Sequence, residues 1–125
     1  MSSLAPARPR GQQIMRAAQR PETELAGGVR WHELAAPGHT MAPALLYVPP
    51  GAASGGSVTL TRENFITVAE GTLEFVIAEL GGWFSLDVGD SIVLAPGQTH
   101  AWRNPSAEHP ATVLWVEQLA GGGSQ

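Results

Sequence analysis

Few side chains in this chain of 125 residues are suited to chemistry, and their types limit what that chemistry can be. Of four histidines, His100 stands apart. It lies in Thr99-His100-Ala101-Trp102-Arg103, a run with strand character. Residues two apart on a strand point the same way, so His100 and Trp102 look into one space, either a core or a pocket. An imidazole with an ordinary pKa of about 6.5 can take or give a proton near neutral pH. His32, His39 and His109 sit among polar, Gly or Pro residues and read as surface or loop groups. Arg62 and Arg103 could hold an anion by bidentate hydrogen bonds, but a lone Arg is more often solvated, which is the reading for both. There is no Cys, which excludes disulfides, thiolate nucleophiles and Cys-based zinc sites. No Gly-x-Ser-x-Gly elbow is present. The Gly-rich stretch 51–56 has no Lys and opens no helix, so a phosphate loop is unsupported.

The elements that must position His100 are short strands. Hydrophobic residues make up 43% of the chain and charged residues 14%, a composition for one globular domain. The formal net charge of −4 argues against broad binding of nucleic acid or anionic membranes. All seven basic residues are Arg. No apolar run approaches the ~20 residues that span a bilayer, and no leader-like apolar core opens the chain, so a cytoplasmic protein is expected. Residues 1–28 read as a tail, with a short helix over Gln12–Arg20 ended by Pro21. From residue 29 the pattern changes to apolar runs divided by Gly and Pro. Strands are expected over Val29–Leu34, Ala44–Val48, Ser57–Thr61, Asn64–Ala69, Thr72–Ala78, Trp83–Leu86, Ser91–Leu94, Thr99–Arg103 and Ala111–Gln118. Gly81-Gly82, Gly89-Asp90 and Pro96-Gly97 supply turns. In Val29–Leu34 the buried face is ambiguous, because Trp31 and Leu34 fall on opposite sides. Strands so spaced predict an all-β sandwich or barrel over residues 29–119, a small jelly roll fitting best, with a flexible end over 120–125.

The stretch GDSIVLAPGQTHAWRN, residues 89–104, resembles the second motif of the cupins: glycine, a proline-glycine turn, histidine and a later asparagine. Gly89, Asp90, Pro96, Gly97, His100 and Asn104 carry the likeness. Pro50-Gly51 and Glu63-Asn64-Phe65 to Glu70-Gly71 are similar to the frame of the first cupin motif. The resemblance covers residues 40–117 and extends, in LLYVPPGA and HAWRNPSAEHPATVLWV, to the sensor cupins attached to helix-turn-helix regulators. It implies a double-stranded β-helix. In metal-dependent members, two His and one Glu of the first motif and one His of the second bind a divalent metal. Carried over, the second-motif ligand is His100. The first-motif Glu falls on Asn64, with Glu63 one residue earlier and pointing the other way. The two first-motif histidines fall on Ser57 and Thr59, or on Val58 and Leu60 if the loop is one residue shorter. Neither register supplies a His. Neutral oxygen groups are poor ligands for zinc, iron or manganese, so no metal is expected and no other cofactor is indicated.

The expected function is that of a stand-alone cupin binding a small organic molecule in its barrel, of the sensing type. Ser57, Thr59, Asn64, His100, Trp102 and Tyr47 are the expected ligand contacts. The alternative is a metal-independent isomerase, epimerase or cyclase with His100 as catalytic acid and base. A metal-dependent dioxygenase or decarboxylase with unusual ligands comes third. Trp83 and Trp115 are further wall candidates, and Phe75 is expected in the core. The expected partners are the small-molecule ligand and a second copy in a homodimer, formed through a sheet face or through exchange within residues 12–34. Nucleic acid and membrane are not expected partners.

Overall fold

Alternation along the chain dictates the architecture. In a computed structural model, which describes residues 13–119, ten strands form two antiparallel sheets. They are β1 (Glu22–Glu24), β2 (Arg30–Glu33), β3 (Met41–Val48), β4 (Val58–Thr59), β5 (Asn64–Glu70), β6 (Leu73–Ile77), β7 (Trp83–Leu86), β8 (Ser91–Leu94), β9 (Thr99–Arg103) and β10 (Ala111–Gln118). One sheet has six strands in the order β1-β2-β3-β10-β5-β8, the other four in the order β4-β9-β6-β7. Neighbours far apart in sequence, such as β3 with β10, give the double-stranded β-helix its interleaved order.

Period-2 patterning sets the inner faces. On β6, Leu73, Phe75 and Ile77 are buried and Glu74 and Val76 are not. On β3, Ala44, Leu46 and Val48 turn inward, and on β10, Ala111, Val113 and Trp115. These rows meet Ile66, Val68, Leu94 and Trp102 in one core between the sheets. Each fully buried side chain of this size contributes roughly 1.5–3 kcal/mol relative to exposure. The ambiguous strand resolves: Val29 is buried and Trp31 packs edge-on against Trp115 at 6.0 Å, so the Val29-Trp31-Glu33 face is the inner one.

The turns form where Gly and Pro place them. Gly71 links β5 to β6 with φ +74°, and a Cβ there would collide with the Pro110 carbonyl oxygen. The Asp90 N–H closes a turn onto the Asp87 carbonyl at 2.8 Å. After Pro96, the Gly97 N–H reaches across to the Leu60 carbonyl at 2.8 Å, tying the turn before β9 to the residue following β4.

The tail departs from expectation. In place of a helix over Gln12–Arg20, only Ala17–Gln19 make a 3-10 turn, flanked by extended Arg16 and Arg20 and burying no side chain. A helix this short is marginal on its own, and Ala17–Gln19 bury no residue that would hold one. Gln12 itself lies outside the described residues, as do residues 1–11 of the tail and the expected flexible end over 120–125. β1, unforeseen from its sequence Glu-Thr-Glu, pairs with β2 and extends the large sheet at its edge. The expected Ser57–Thr61 strand shrinks to the two residues of β4.

Candidate functional site

Cross-strand register decides which side chains meet His100. β4 pairs with β9 so that Val58 lies opposite His100 and Thr59 opposite Thr99. Opposite residues share a face, so Val58 turns inward with His100 while Thr59 turns away with Thr99. The two threonine hydroxyls indeed bond each other at 2.6 Å on the outer side. From the facing sheet, Asn64 on β5 lies next to Glu117 on β10, and Trp115 stands two residues before Glu117 on the same face. Trp31 on β2 completes that wall. Together these side chains line a cavity of about 230 Å³ that opens to solvent, with Leu46 and Leu60 at its sides. Drug-sized ligands use pockets of roughly 300–1,000 Å³, so this space suits something smaller.

Two buried polar groups in the cavity wall differ in their state. Asn64 is engaged at both ends: its Oδ1 accepts from Trp115 Nε1 at 2.8 Å, and its Nδ2 donates to the Arg62 carbonyl at 2.9 Å. His100 is 4% exposed, and its Nδ1 is buried with no protein partner. Its ring lies 5.8 Å from that of Trp115 and 6.4 Å from that of Phe75. Burial among these rings pushes the His100 pKa below the ordinary 6.5, partly opposed by the backbone of Val58. A neutral imidazole has one N–H and one lone pair, so it can both donate and accept.

Asn64, His100 and Trp102 are brought together in the cavity wall as the sequence suggests. Ser57, Thr59 and Tyr47 are not. Ser57 and Thr59 do not line the cavity; Val58, half-exposed at its mouth, and Leu60 take the positions on that face instead. Tyr47 lies between inward Leu46 and Val48 and so points outward, under the Arg30 guanidinium at 4.9 Å. Trp83 is also outside, with the Arg103 guanidinium 3.7 Å from its ring centre, and Arg103 Nε bonds Glu74 at 2.7 Å. Phe75 is core, as expected. His39 sits in the loop before β3 and is not part of the cavity wall. Sequence reading missed Trp31 and Glu117. The alternation Val113-Trp115-Glu117 carried the signal for Glu117, a charged residue at the end of an inward row.

The donor set can be tested against a transition metal. Around His100 stand Val58 and Leu60, whose side chains have no donor atoms, Asn64, whose amide is already engaged, and a single carboxylate, Glu117. Glu63 points the opposite way, to the outer face beside Phe65 and Val93. Among the described residues no three His, Cys, Asp or Glu side chains gather closely enough to hold a metal ion. The residues present do not fit the family's metal site.

An antiparallel double-stranded β-helix with a histidine-bearing cavity between its sheets defines a jelly-roll barrel of the kind that houses small-molecule sites. The sequence profile described as "Cupin domain" matches residues 44–117, and the chain belongs to the cupin family. The fold is similar to that of an RmlC-like cupin from Shewanella frigidimarina, with a TM-score of 0.75, 18% identity, and 90% of this chain and 95% of that one covered. It is also similar to a predicted oxalate decarboxylase from Thermotoga maritima, with a TM-score of 0.73, 17% identity, and 85% and 98% covered. CENP-C from Drosophila melanogaster, bound to CAL1, matches with a TM-score of 0.70, 13% identity, and 84% and 85% covered. These neighbours differ in what they do, and at such identities they share the fold alone. No curated protein matches the sequence.

Proposed function

We propose that this protein is a small-molecule-binding cupin whose barrel takes an organic ligand directly, without a transition metal. The observation that carries the reading is His100: a buried imidazole with an unpartnered Nδ1 in the wall of a cavity of about 230 Å³. A buried polar atom without a partner costs about 1–3 kcal/mol, and a turn of the ring that presents Nδ1 to a ligand in the cavity removes that cost. The surrounding positions supply apolar walls, an engaged amide, indoles and a single carboxylate, Glu117, which suit an organic molecule better than a metal ion held by several donors. Asn64 shapes the site through Trp115, whose indole N–H it holds. Native mass spectrometry of the full chain, purified without a histidine tag, tests this together with metal analysis. A retained small molecule and substoichiometric metal are expected. A stoichiometric transition metal overturns the reading.

A second reading is favoured by the same Nδ1. An imidazole kept neutral at pH 7 can remove a proton from carbon or oxygen and return it elsewhere, which is the chemistry of an isomerase or epimerase. His100→Ala separates the two. A large fall in turnover at unchanged affinity supports the enzyme, and a fall in affinity alone supports the sensor.

The proposal extends to a homodimer in the cytoplasm. Among the described residues no helix is long and apolar enough to cross a membrane. Pro43, Val116, Phe65 and Val93 line up across four strands on the outer face of the large sheet, and Phe65 and Val93 are exposed. Light scattering of the full chain is expected to give twice the chain mass; a monomer at micromolar concentration refutes the pairing.

A further inference from the structure

The polar groups lining the cavity are unequal in kind. Trp31, Trp102 and Trp115 all contribute to the wall. The indole N–H of Trp115 is spent on Asn64 Oδ1, so this residue offers the cavity its ring rather than a donor. Glu117 adds a carboxylate, and it also lines an adjoining cleft of about 280 Å³ together with Trp31 and a second carboxylate, Glu33. No Arg lines either space. Arg62 contributes only its backbone carbonyl, to Asn64. Arg30 and Arg103 are turned outward onto Tyr47 and Trp83. The Nδ1 of His100, buried and unpartnered, can accept from a ligand N–H once the ring turns to present it with its lone pair.

Such a lining repels anions and gives a neutral molecule no special advantage. A cation gains three ways: from the negative faces of indole rings, from an opposed carboxylate, and from acceptors for any N–H it carries. From this we propose that the ligand is a small organic ammonium ion, its charge held among Trp31, Trp102, Trp115 and Glu117 with His100 as acceptor. The inference rests on the reading of the cavity as a small-molecule site and specifies the chemical class of its occupant.

Three probes of nearly equal size and different charge test it: benzylammonium, benzyl alcohol and benzoate, titrated into the full chain at constant ionic strength. The readouts are the indole N–H signals of Trp31, Trp102 and Trp115 by NMR, and the dissociation constant. Benzylammonium should move those signals and bind about tenfold or more tightly than benzyl alcohol, with benzoate weakest. Glu117→Gln, checked for an unchanged melting temperature without ligand, should cut the preference for benzylammonium over benzyl alcohol several-fold. Should Glu117→Gln unfold, Glu117→Asp is the substitute and should give a smaller cut in the same direction. Preference for benzyl alcohol or benzoate, or a preference indifferent to either Glu117 variant, overturns the ammonium assignment and leaves the cavity as a binding site. If none of the three moves the indole signals, the small-molecule reading of the cavity falls with it.

Discussion

The two ends of one strand make opposite use of a buried polar side chain. His100 near the start of β9 and Asn104 just past its end are only 4% and 3% exposed. Asn104 is saturated. Its Nδ2 donates to the carbonyls of His109 at 2.9 Å, Val48 at 3.2 Å and Pro49 at 3.3 Å, and its Oδ1 accepts the Ser106 N–H at 2.9 Å. Its own N–H adds a bond to the Ala52 carbonyl at 2.8 Å. It ties the loop after β3 to the loop before β10. His100 lines the cavity with its ring, and its Nδ1 is buried without a hydrogen-bond partner. Both residues belong to the same cupin-like motif. The contrast teaches that burial alone does not separate structural from functional polar groups; completeness of hydrogen bonding does.

That contrast breaks most readily at Asn104. Asn104→Ala removes the hub of several buried carbonyls and should destabilise the fold by about 3 kcal/mol in chemical denaturation. A loss below about 1 kcal/mol would mean the loops hold themselves. His100→Leu should do the reverse: stability within about 1 kcal/mol of the parent, since an unpaired polar group is exchanged for an apolar one, but a fall in ligand affinity of about tenfold or more. Equal loss of stability at both positions would erase the distinction between them.

The pH dependence sharpens the comparison further. Because burial holds the folded His100 pKa below 6.5, the unfolded chain binds the proton more readily. Its stabilising contribution is therefore complete above pH 6.5 and is lost as pH falls from there through the folded pKa. Melting temperatures followed between pH 8 and 5 should drop on the acid side in the parent, and the drop should be smaller in His100→Leu. Identical profiles would place the titration elsewhere. The smallest effect is expected outside the barrel. Thr59→Val loses one exposed hydroxyl contact to Thr99 and should cost no more than about 0.5 kcal/mol, with ligand binding unchanged. A binding defect there would reinstate the register that brings Thr59 inward.

The chain by itself determined the all-β class, most strand positions, and the pairing of His100 with Trp102 on one inner face. Those follow from period-2 alternation and from Gly and Pro turns, which act within a few residues. Gly71 shows how far that legibility reached: a glycine at that turn was readable, but its contact with Pro110 was not. The tertiary structure alone decided the register of β4, because two alternating positions look alike until a partner strand fixes which faces inward. That one-residue choice moved Ser57 and Thr59 out of the site and put Val58 and Leu60 in. It alone decided the role of Glu117 and Trp31, which reach the cavity from strands 17 and 69 residues away from His100. Their convergence depends on how two sheets close over one another, and that geometry is written in long-range packing between the strands.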